Sequence, residues 1–76
     1  MDIQSFITNF AEAIDGLEPD GLTAQTAFRE LEQWDSLAFL SVLAMIDGEY
    51  GVELPGDELL ACANLGELCQ AVAAKQ

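Results

Sequence analysis

The amino-acid sequence predicts an all-α fold, a four-helix bundle with three main helices, a short third helix and a long first loop. Apolar residues recur at steps of three and four along much of the chain, which is typical of helices that bury one face. No segment alternates with period two for long enough to form a strand. The length of 76 residues lies within the range of one small domain, so we expect a single domain over residues 1–76.

A stripe of large apolar residues indicates the first helix, and an unusually long connection follows it. The stripe contains Ile3, Phe6, Ile7, Phe10, Ile14 and Leu17. Asp2 is expected to be the N-cap, and Gly16 is placed to end the helix as its C′ residue. About twenty residues then precede the next helix, and a structureless loop of that length is uncommon in a compact domain. Since apolar residues punctuate this loop, we expect it to be pinned across the bundle, with a short helical turn within residues 27–32.

Three further helices are predicted after this connection. The second begins near Asp35–Ser36 and runs to about Tyr50. The third is a short helix in the segment PGDELLAC, which starts at Pro55. The fourth occupies NLGELCQAVAAK, where Asn64 and Glu67 have the spacing of a capping box. Its inward-facing residues are expected to be Leu65, Leu68, Cys69 and Val72.

The charge balance of the chain excludes several classes of partner. Fourteen acidic residues against two basic ones give a formal net charge of −12. So acidic a protein repels phosphate backbones and anionic lipid headgroups, and we expect no binding to nucleic acid or to a membrane surface. The longest apolar run is about ten residues, which is too short to span a bilayer. We therefore expect a cytoplasmic protein, a monomer, that is attracted to basic protein surfaces or to cations.

The sequence predicts neither a metal site nor a disulfide. An EF-hand loop that began at Asp15 would lack the residue types that calcium requires at the positions that follow. Cys62 and Cys69 have no histidine or further cysteine at metal-ligand spacing. On one continuous helix their Cα atoms would be about 10 Å apart, whereas a disulfide needs less than about 7 Å. We expect both cysteines to be buried apolar side chains.

Ser36 stands between an acid and a leucine at the start of the second helix, a position that admits two interpretations. A serine nucleophile needs a general base within hydrogen-bond reach. The chain has no histidine, and Lys75 lies at the end of the last helix, where fraying is expected. A G-x-S-x-G elbow is also absent, which argues against hydrolase chemistry. The other interpretation is that Asp35 or Ser36 simply caps the helix.

The sequence around Ser36 resembles the centre of an acyl carrier protein. The resemblance is carried by FRELEQWDSLAFLSVLAMIDGEYGVELPGDEL, in which Asp35, Ser36 and Leu37 form the Asp-Ser-Leu motif of that family. The upstream pair Phe28 and Leu31, the downstream EYGVELP and the order of the helices agree with it across essentially the whole chain. The resemblance implies a helical bundle of the acyl-carrier type. It also implies that coenzyme A is the source of a 4′-phosphopantetheine group attached to Ser36.

The resemblance further implies a function and a set of partners. The protein would hold acyl groups as thioesters on the flexible arm and present them to acyl-loading and acyl-processing enzymes, while catalysing no reaction itself. A phosphopantetheinyl transferase would modify Ser36, and Asp35 matches the acid that helps such an enzyme recognise the serine. Because Ser36 would be a substrate of that enzyme, it needs no base of its own. Free N–H groups at a helix N-terminus favour an added phosphate there.

The second helix departs from fatty-acid-synthesis carriers on the face that would meet partners. Helical geometry groups five residues on its outward side: Leu37, Ala38, Ser41, Ala44 and Met45. The side with Leu40, Leu43 and Ile46 is expected to face the core. In fatty-acid-synthesis carriers the outward face has acids that dock on basic patches, whereas Ala38, Ser41 and Gly48 occupy such positions here. We therefore expect a specialised carrier for one biosynthetic pathway, either polyketide-like or aminoacyl, rather than a housekeeping one.

Two alternatives to an acyl carrier remain open at this stage. An aminoacyl or peptidyl carrier would have the same fold, and Asp35 before the serine favours an acyl carrier only weakly. A protein-interaction module that keeps the fold but is never loaded is the other alternative. The intact motif at Ser36 argues against that module, because an unused attachment site would be expected to erode.

Overall fold

Five helical elements follow one another in the order that the sequence predicts. In the structure, a computed structural model that describes residues 1–76, the elements are α1 (Ile3–Ala13), a 3₁₀ turn (Phe28–Glu30), α2 (Ser36–Tyr50), α3 (Gly56–Leu60) and α4 (Leu65–Ala74). The chain contains no strand, so the predicted all-α bundle with a short third helix and a long first loop is confirmed. No helix combines the length and apolar character that are needed to cross a membrane.

Capping residues define most of the helix boundaries. Asp2 caps α1, because its carboxylate accepts two backbone N–H groups of the first turn. At α4, Oδ1 of Asn64 accepts the N–H of Glu67 at 2.9 Å. The carboxylate of Glu67 in turn accepts the N–H of Ala63 at 2.8 Å, one residue before the position that a capping box usually uses. α2 ends at Gly51, which has the left-handed conformation (φ 67°) that glycine adopts without strain.

α1 ends earlier than the sequence predicts. Its last helical residue is Ala13, and Ile14 has an extended backbone with φ −112° and ψ 119°. Gly16 does have a positive φ of 81°, but it lies in the turn beyond the helix, so its assignment as the C′ residue was wrong. The side chain of Ile14 is nevertheless buried. The apolar stripe therefore continues past the helix, which is why its spacing suggested a longer one.

The core joins the inner faces of α1, α2 and α4 to α3 and to the long connection. Its fully buried side chains include Phe6, Phe10, Phe28, Ile46, Leu59, Leu65, Leu68 and Val72. Ring centroids lie 5.7 Å apart for Phe10 and Phe28, and 5.3 Å apart for Phe28 and Trp34. Burial of each large apolar side chain contributes about 1.5–3 kcal/mol. These rings attach the connection to α1 and so position the start of α2.

Backbone hydrogen bonds hold the long connection against α4. The N–H of Leu65 donates to the carbonyl of Thr26 at 3.1 Å, and the N–H of Gly66 donates to the carbonyl of Ala24 at 2.8 Å. A Cβ at Gly66 would lie 3.1 Å from that Ala24 oxygen, so glycine permits the close approach. The expectation that this loop is pinned across the bundle is confirmed.

Both cysteines are free and buried, as predicted. Cys62 lies after α3 and Cys69 lies within α4, so the two do not share one continuous helix. Desolvation by burial is the main cause that raises the pKa of each thiol above its usual value. A thiol with a raised pKa forms little thiolate at neutral pH. The two side chains are packing residues.

Candidate functional site

Asp35 positions the start of α2. Its backbone is extended, with φ −154° and ψ −173°, and its Oδ1 accepts the N–H of Ala38 at 2.7 Å. Its carbonyl accepts the N–H of Phe39 at 3.0 Å. Asp35 is therefore the N-cap of the helix, an interaction that typically contributes about 1 kcal/mol. Of the two candidates for the cap, Asp35 fills the position and Ser36 does not.

Ser36 is the first residue of α2, and its hydroxyl is not engaged by the rest of the chain. The residue is exposed, and the hydrogen bonds at this helix start are all accepted by Asp35. The backbone N–H groups of Ser36 and Leu37 have no acceptor within the chain, as is usual in the first turn of a helix. An accessible hydroxyl beside free N–H groups fits the attachment of a phosphate-linked group such as 4′-phosphopantetheine.

Two grooves flank the start of α2. The Trp34 groove, on the side of α3, has a volume of about 360 Å³ and is lined by Trp34, Asp35, Ser36, Phe39 and Leu60. The acidic groove, on the side of α1, has a volume of about 310 Å³. Its charged residues are Asp15, Glu32 and Asp35. Ser36 therefore lies at the edge of a mostly apolar groove, with an acid-lined groove on the opposite side of the helix.

The structure corrects the predicted division of α2 into an outward and an inward face. Ala38 is only 4% exposed and packs in the core, whereas Leu40 is 59% exposed. The assignment of Ala38 to the docking face and of Leu40 to the core was wrong. The buried stripe is Ala38, Val42 and Ile46, at intervals of four residues. Apolar residues occur all around this helix, so their spacing alone does not identify its inner face.

The other residues predicted to dock partners differ in their exposure. Leu37 is 71% exposed and Ala44 is exposed, whereas Ser41 and Met45 are half-buried. The sequence prediction missed Leu60, which is 43% exposed and lies across the Trp34 groove from Ser36. The sequence did contain a signal for the exposure of Leu60, because two leucines stand together at the end of the five-residue α3. A single short turn directs only one of two adjacent side chains inward, and here that side chain is Leu59. A role of these residues in docking remains a prediction.

The chain is similar to one protein family and to several individual proteins. Residues 5–72 match the family described as "Phosphopantetheine attachment site". The meromycolate extension acyl carrier protein of Mycobacterium tuberculosis is 25% identical over 67 residues, which cover 88% of this chain and 58% of that protein. The protein of the same name from Mycolicibacterium aurum is 28% identical over 68 residues, covering 86% of this chain and 70% of that protein. The acyl carrier protein of Rhodococcus erythropolis is 24% identical over 67 residues, which cover 88% of this chain and 74% of that protein.

These matches confirm the resemblance that was inferred from the residues around Ser36. The chain spans 58% of the length of its Mycobacterium tuberculosis relative, and the family match covers most of the chain, including all of α2. The family is defined by the attachment of phosphopantetheine, so that group is the cofactor of this domain. A domain of this kind is a carrier rather than an enzyme. The chain belongs to the phosphopantetheine attachment site family, that of the acyl carrier proteins.

Proposed function

We propose that this chain carries acyl groups on 4′-phosphopantetheine attached to Ser36 and presents them to the enzymes of a specialised biosynthetic pathway. The observation that carries the proposal is the unengaged hydroxyl of Ser36, which is exposed at the start of α2. When attached, the group supplies a thiol at the end of a flexible arm, to which an acyl group is bound as a thioester. The relatives named acyl carrier proteins support acyl cargo over aminoacyl cargo.

The attachment reaction requires only an accessible oxygen nucleophile from this chain. Oγ of Ser36 forms a bond to the phosphorus of coenzyme A that bears the pantetheine. The bond from that phosphorus to the bridging oxygen breaks, and adenosine 3′,5′-bisphosphate leaves. The hydroxyl proton passes to a base of the transferase, since this chain has no histidine and its one lysine, Lys75, is paired with Glu58 at 3.2 Å.

Charge and apolar contacts have different tasks in the proposed interactions with partners. The net charge of −12 attracts a basic partner surface and raises the rate of encounter. Near Ser36 three large apolar side chains are exposed to solvent, those of Leu37, Leu40 and Leu60. Burial of exposed apolar side chains against a partner favours association. A partner that fits this chain therefore combines a basic rim with an apolar contact surface. This differs from the acidic docking face expected of a fatty-acid-synthesis carrier, and the difference supports a specialised pathway.

The test of the proposal is loading by a broad-specificity phosphopantetheinyl transferase with coenzyme A, followed by intact-mass spectrometry. We expect the wild type to gain the mass of one phosphopantetheine group. The Ser36→Ala variant should gain nothing. The matched control is Ser41→Ala, which changes the other serine of the same helix and should be loaded like the wild type. No gain in the wild type, or a gain that survives Ser36→Ala, would contradict the proposal.

A further inference from the structure

Trp34 lies just before the start of α2 and contacts three different elements. Its ring stacks on that of Phe10 in α1, with centroids 6.4 Å apart and an interplanar angle of 4°. It meets Phe28 of the 3₁₀ turn edge-on at 5.3 Å, and Phe39 of α2 edge-on at 6.4 Å. The backbone N–H of Trp34 donates to the carbonyl of Leu31 at 3.0 Å. Since Phe10 and Phe28 are fully buried, the core holds the ring of Trp34 in place.

Trp34 and Phe39 form a hydrophobic staple across the cap of α2. Asp35 is the N-cap, so Trp34 occupies the position before the cap and Phe39 is the fourth residue of the helix. Contact between apolar residues at these two positions fixes the angle at which the chain enters a helix. The start of α4 has no such pair of large side chains, because Ala63 precedes its cap and is exposed. The packing of Trp34 therefore sets the angle of entry into α2.

Hydrogen bonds restrain the first two residues of α2 only weakly. The N–H groups of Ser36 and Leu37 have no acceptor in the chain, and the hydroxyl of Ser36 is exposed and unengaged. The carboxylate of Asp35 binds the N–H of Ala38, which lies two residues beyond the serine. Helix ends fray, so the orientation of the Ser36 hydroxyl depends on the apolar contact that spans it.

We infer that Trp34 is a positioning residue for the loading of Ser36: together with Phe39, it holds the start of α2 so that the hydroxyl is presented to the transferase in one orientation. The inference rests on the proposed function. Reacting atoms have to be aligned about 3–3.5 Å apart, and a misplacement of about 1 Å can lower a rate about 100-fold. Loss of the staple should therefore slow the chemical step more than it weakens the binding of the transferase.

The experiment measures kcat and KM for loading of the protein by a broad-specificity phosphopantetheinyl transferase with coenzyme A. Each variant is assayed at a temperature at which circular dichroism shows that it is folded. We expect Trp34→Ala to lower kcat by about 10- to 100-fold with little change in the KM of the protein substrate. Trp34→Phe keeps an aromatic ring before the cap and should restore most of kcat.

Two further variants separate positioning from stability. Val72→Ala truncates a fully buried side chain of α4 that lines neither groove beside Ser36, and it should keep the kcat and KM of the wild type. Phe39→Ala removes the other half of the staple but leaves the core contacts of Trp34 in place. It should lower kcat as Trp34→Ala does, and it replaces that variant as the test if Trp34→Ala fails to fold.

A measurement on the unsubstituted protein tests the same inference without any variant. The NMR order parameter of the Ser36 N–H should be about 0.85, as in a rigid backbone, although this group has no acceptor in the chain. A value below about 0.6 would describe a flexible helix start and would overturn the inference. In folded Trp34→Ala the order parameter of Ser36 should fall, whereas Val72→Ala should leave it unchanged.

Three kinetic results would also overturn the inference while leaving the proposed function intact. The first is an unchanged kcat in folded Trp34→Ala and Phe39→Ala. The second is a loss confined to KM, which would mean that Trp34 binds the transferase instead of orienting the serine. The third is an equal fall of kcat in Val72→Ala, which would show that loading follows stability. A wild type that gains no phosphopantetheine would instead contradict the proposed function, and the inference would fall with it.

Discussion

The starts of α2 and α4 have nearly the same local geometry but different surroundings. Asp35 and Asn64 both have extended backbones, with φ −154° and −152°, and each caps the N–H of the third residue of its helix. At α4 the preceding N–H groups are also bound, since Leu65 and Gly66 donate to carbonyls of the long connection. At α2 the corresponding N–H groups, of Ser36 and Leu37, have no acceptor in the chain.

This difference shows how one local motif can serve stability in one place and function in another. The start of α4 is covered by another part of the chain, so its polar groups are all used to hold the fold together. The start of α2 is capped by Asp35 but otherwise open to solvent, and it presents the hydroxyl of Ser36. Free N–H groups on an exposed helix start can donate hydrogen bonds to a phosphate. The open start is therefore the one that suits a prosthetic group.

The largest expected effect comes from disturbing the covered start of α4. In Gly66→Val the new side chain meets the Ala24 carbonyl, from which even a Cβ would be only 3.1 Å away. We expect the free energy of unfolding to fall by about 1–3 kcal/mol, as overpacking usually costs. The matched control is Gly48→Val in α2, where nothing lies within 4 Å of an added Cβ, and its stability should change by no more than about 0.5 kcal/mol. Denaturant unfolding measures both.

Loading should not follow this loss of stability. At a temperature where Gly66→Val remains folded, its Ser36 should be loaded at the rate of the wild type, because the substitution lies on another helix. A loading rate that fell in proportion to stability would mean that the two helix starts are coupled, and the contrast between them would be lost.

The two caps themselves should have similar effects on stability but different effects on loading. Asp35→Ala and Asn64→Ala each remove a capping side chain and should each cost about 1 kcal/mol. Asp35→Asn keeps a capping oxygen and should leave the melting temperature almost unchanged. It removes the charge beside Ser36, however, so we expect slower loading by the transferase.

The rate of loading at low and high salt tests this separation of roles. Asn64→Asp is the control for Asp35→Asn, since it adds a charge at the other cap and should leave the loading rate unchanged. If Asp35→Asn were loaded as fast as the wild type at every salt concentration, Asp35 would be a cap and nothing more.

The smallest expected effect is that of salt on stability, which acts on the whole surface rather than on one helix start. With a net charge of −12, repulsion between carboxylates should lower the melting temperature at low ionic strength. The Debye length falls from about 30 Å at 0.01 M salt to about 10 Å at 0.1 M. Added sodium chloride should therefore raise the melting temperature. A melting temperature that is indifferent to salt would show that these charges lie too far apart to matter.

Short-range signals in the sequence predicted the helix starts, whereas contacts between distant segments decided what each start does. Asp2, Asn64 and the beginning of α2 follow from capping residues within a few positions of each helix. The cover on the start of α4 depends on packing of the long connection, which no local spacing reveals. Likewise, the apolar residues all around α2 hid the fact that Ala38 is buried and Leu40 exposed.

The most direct test of the central claim is to locate the added group by peptide mapping. After reaction of the wild type with coenzyme A and the transferase, the protein is digested and the peptides are sequenced by tandem mass spectrometry. We predict that the phosphopantetheine mass is found on Ser36, at the open start of α2, and on neither Ser5 nor Ser41. A group located on another residue, or an unmodified Ser36 under conditions that load a known carrier, would contradict the account.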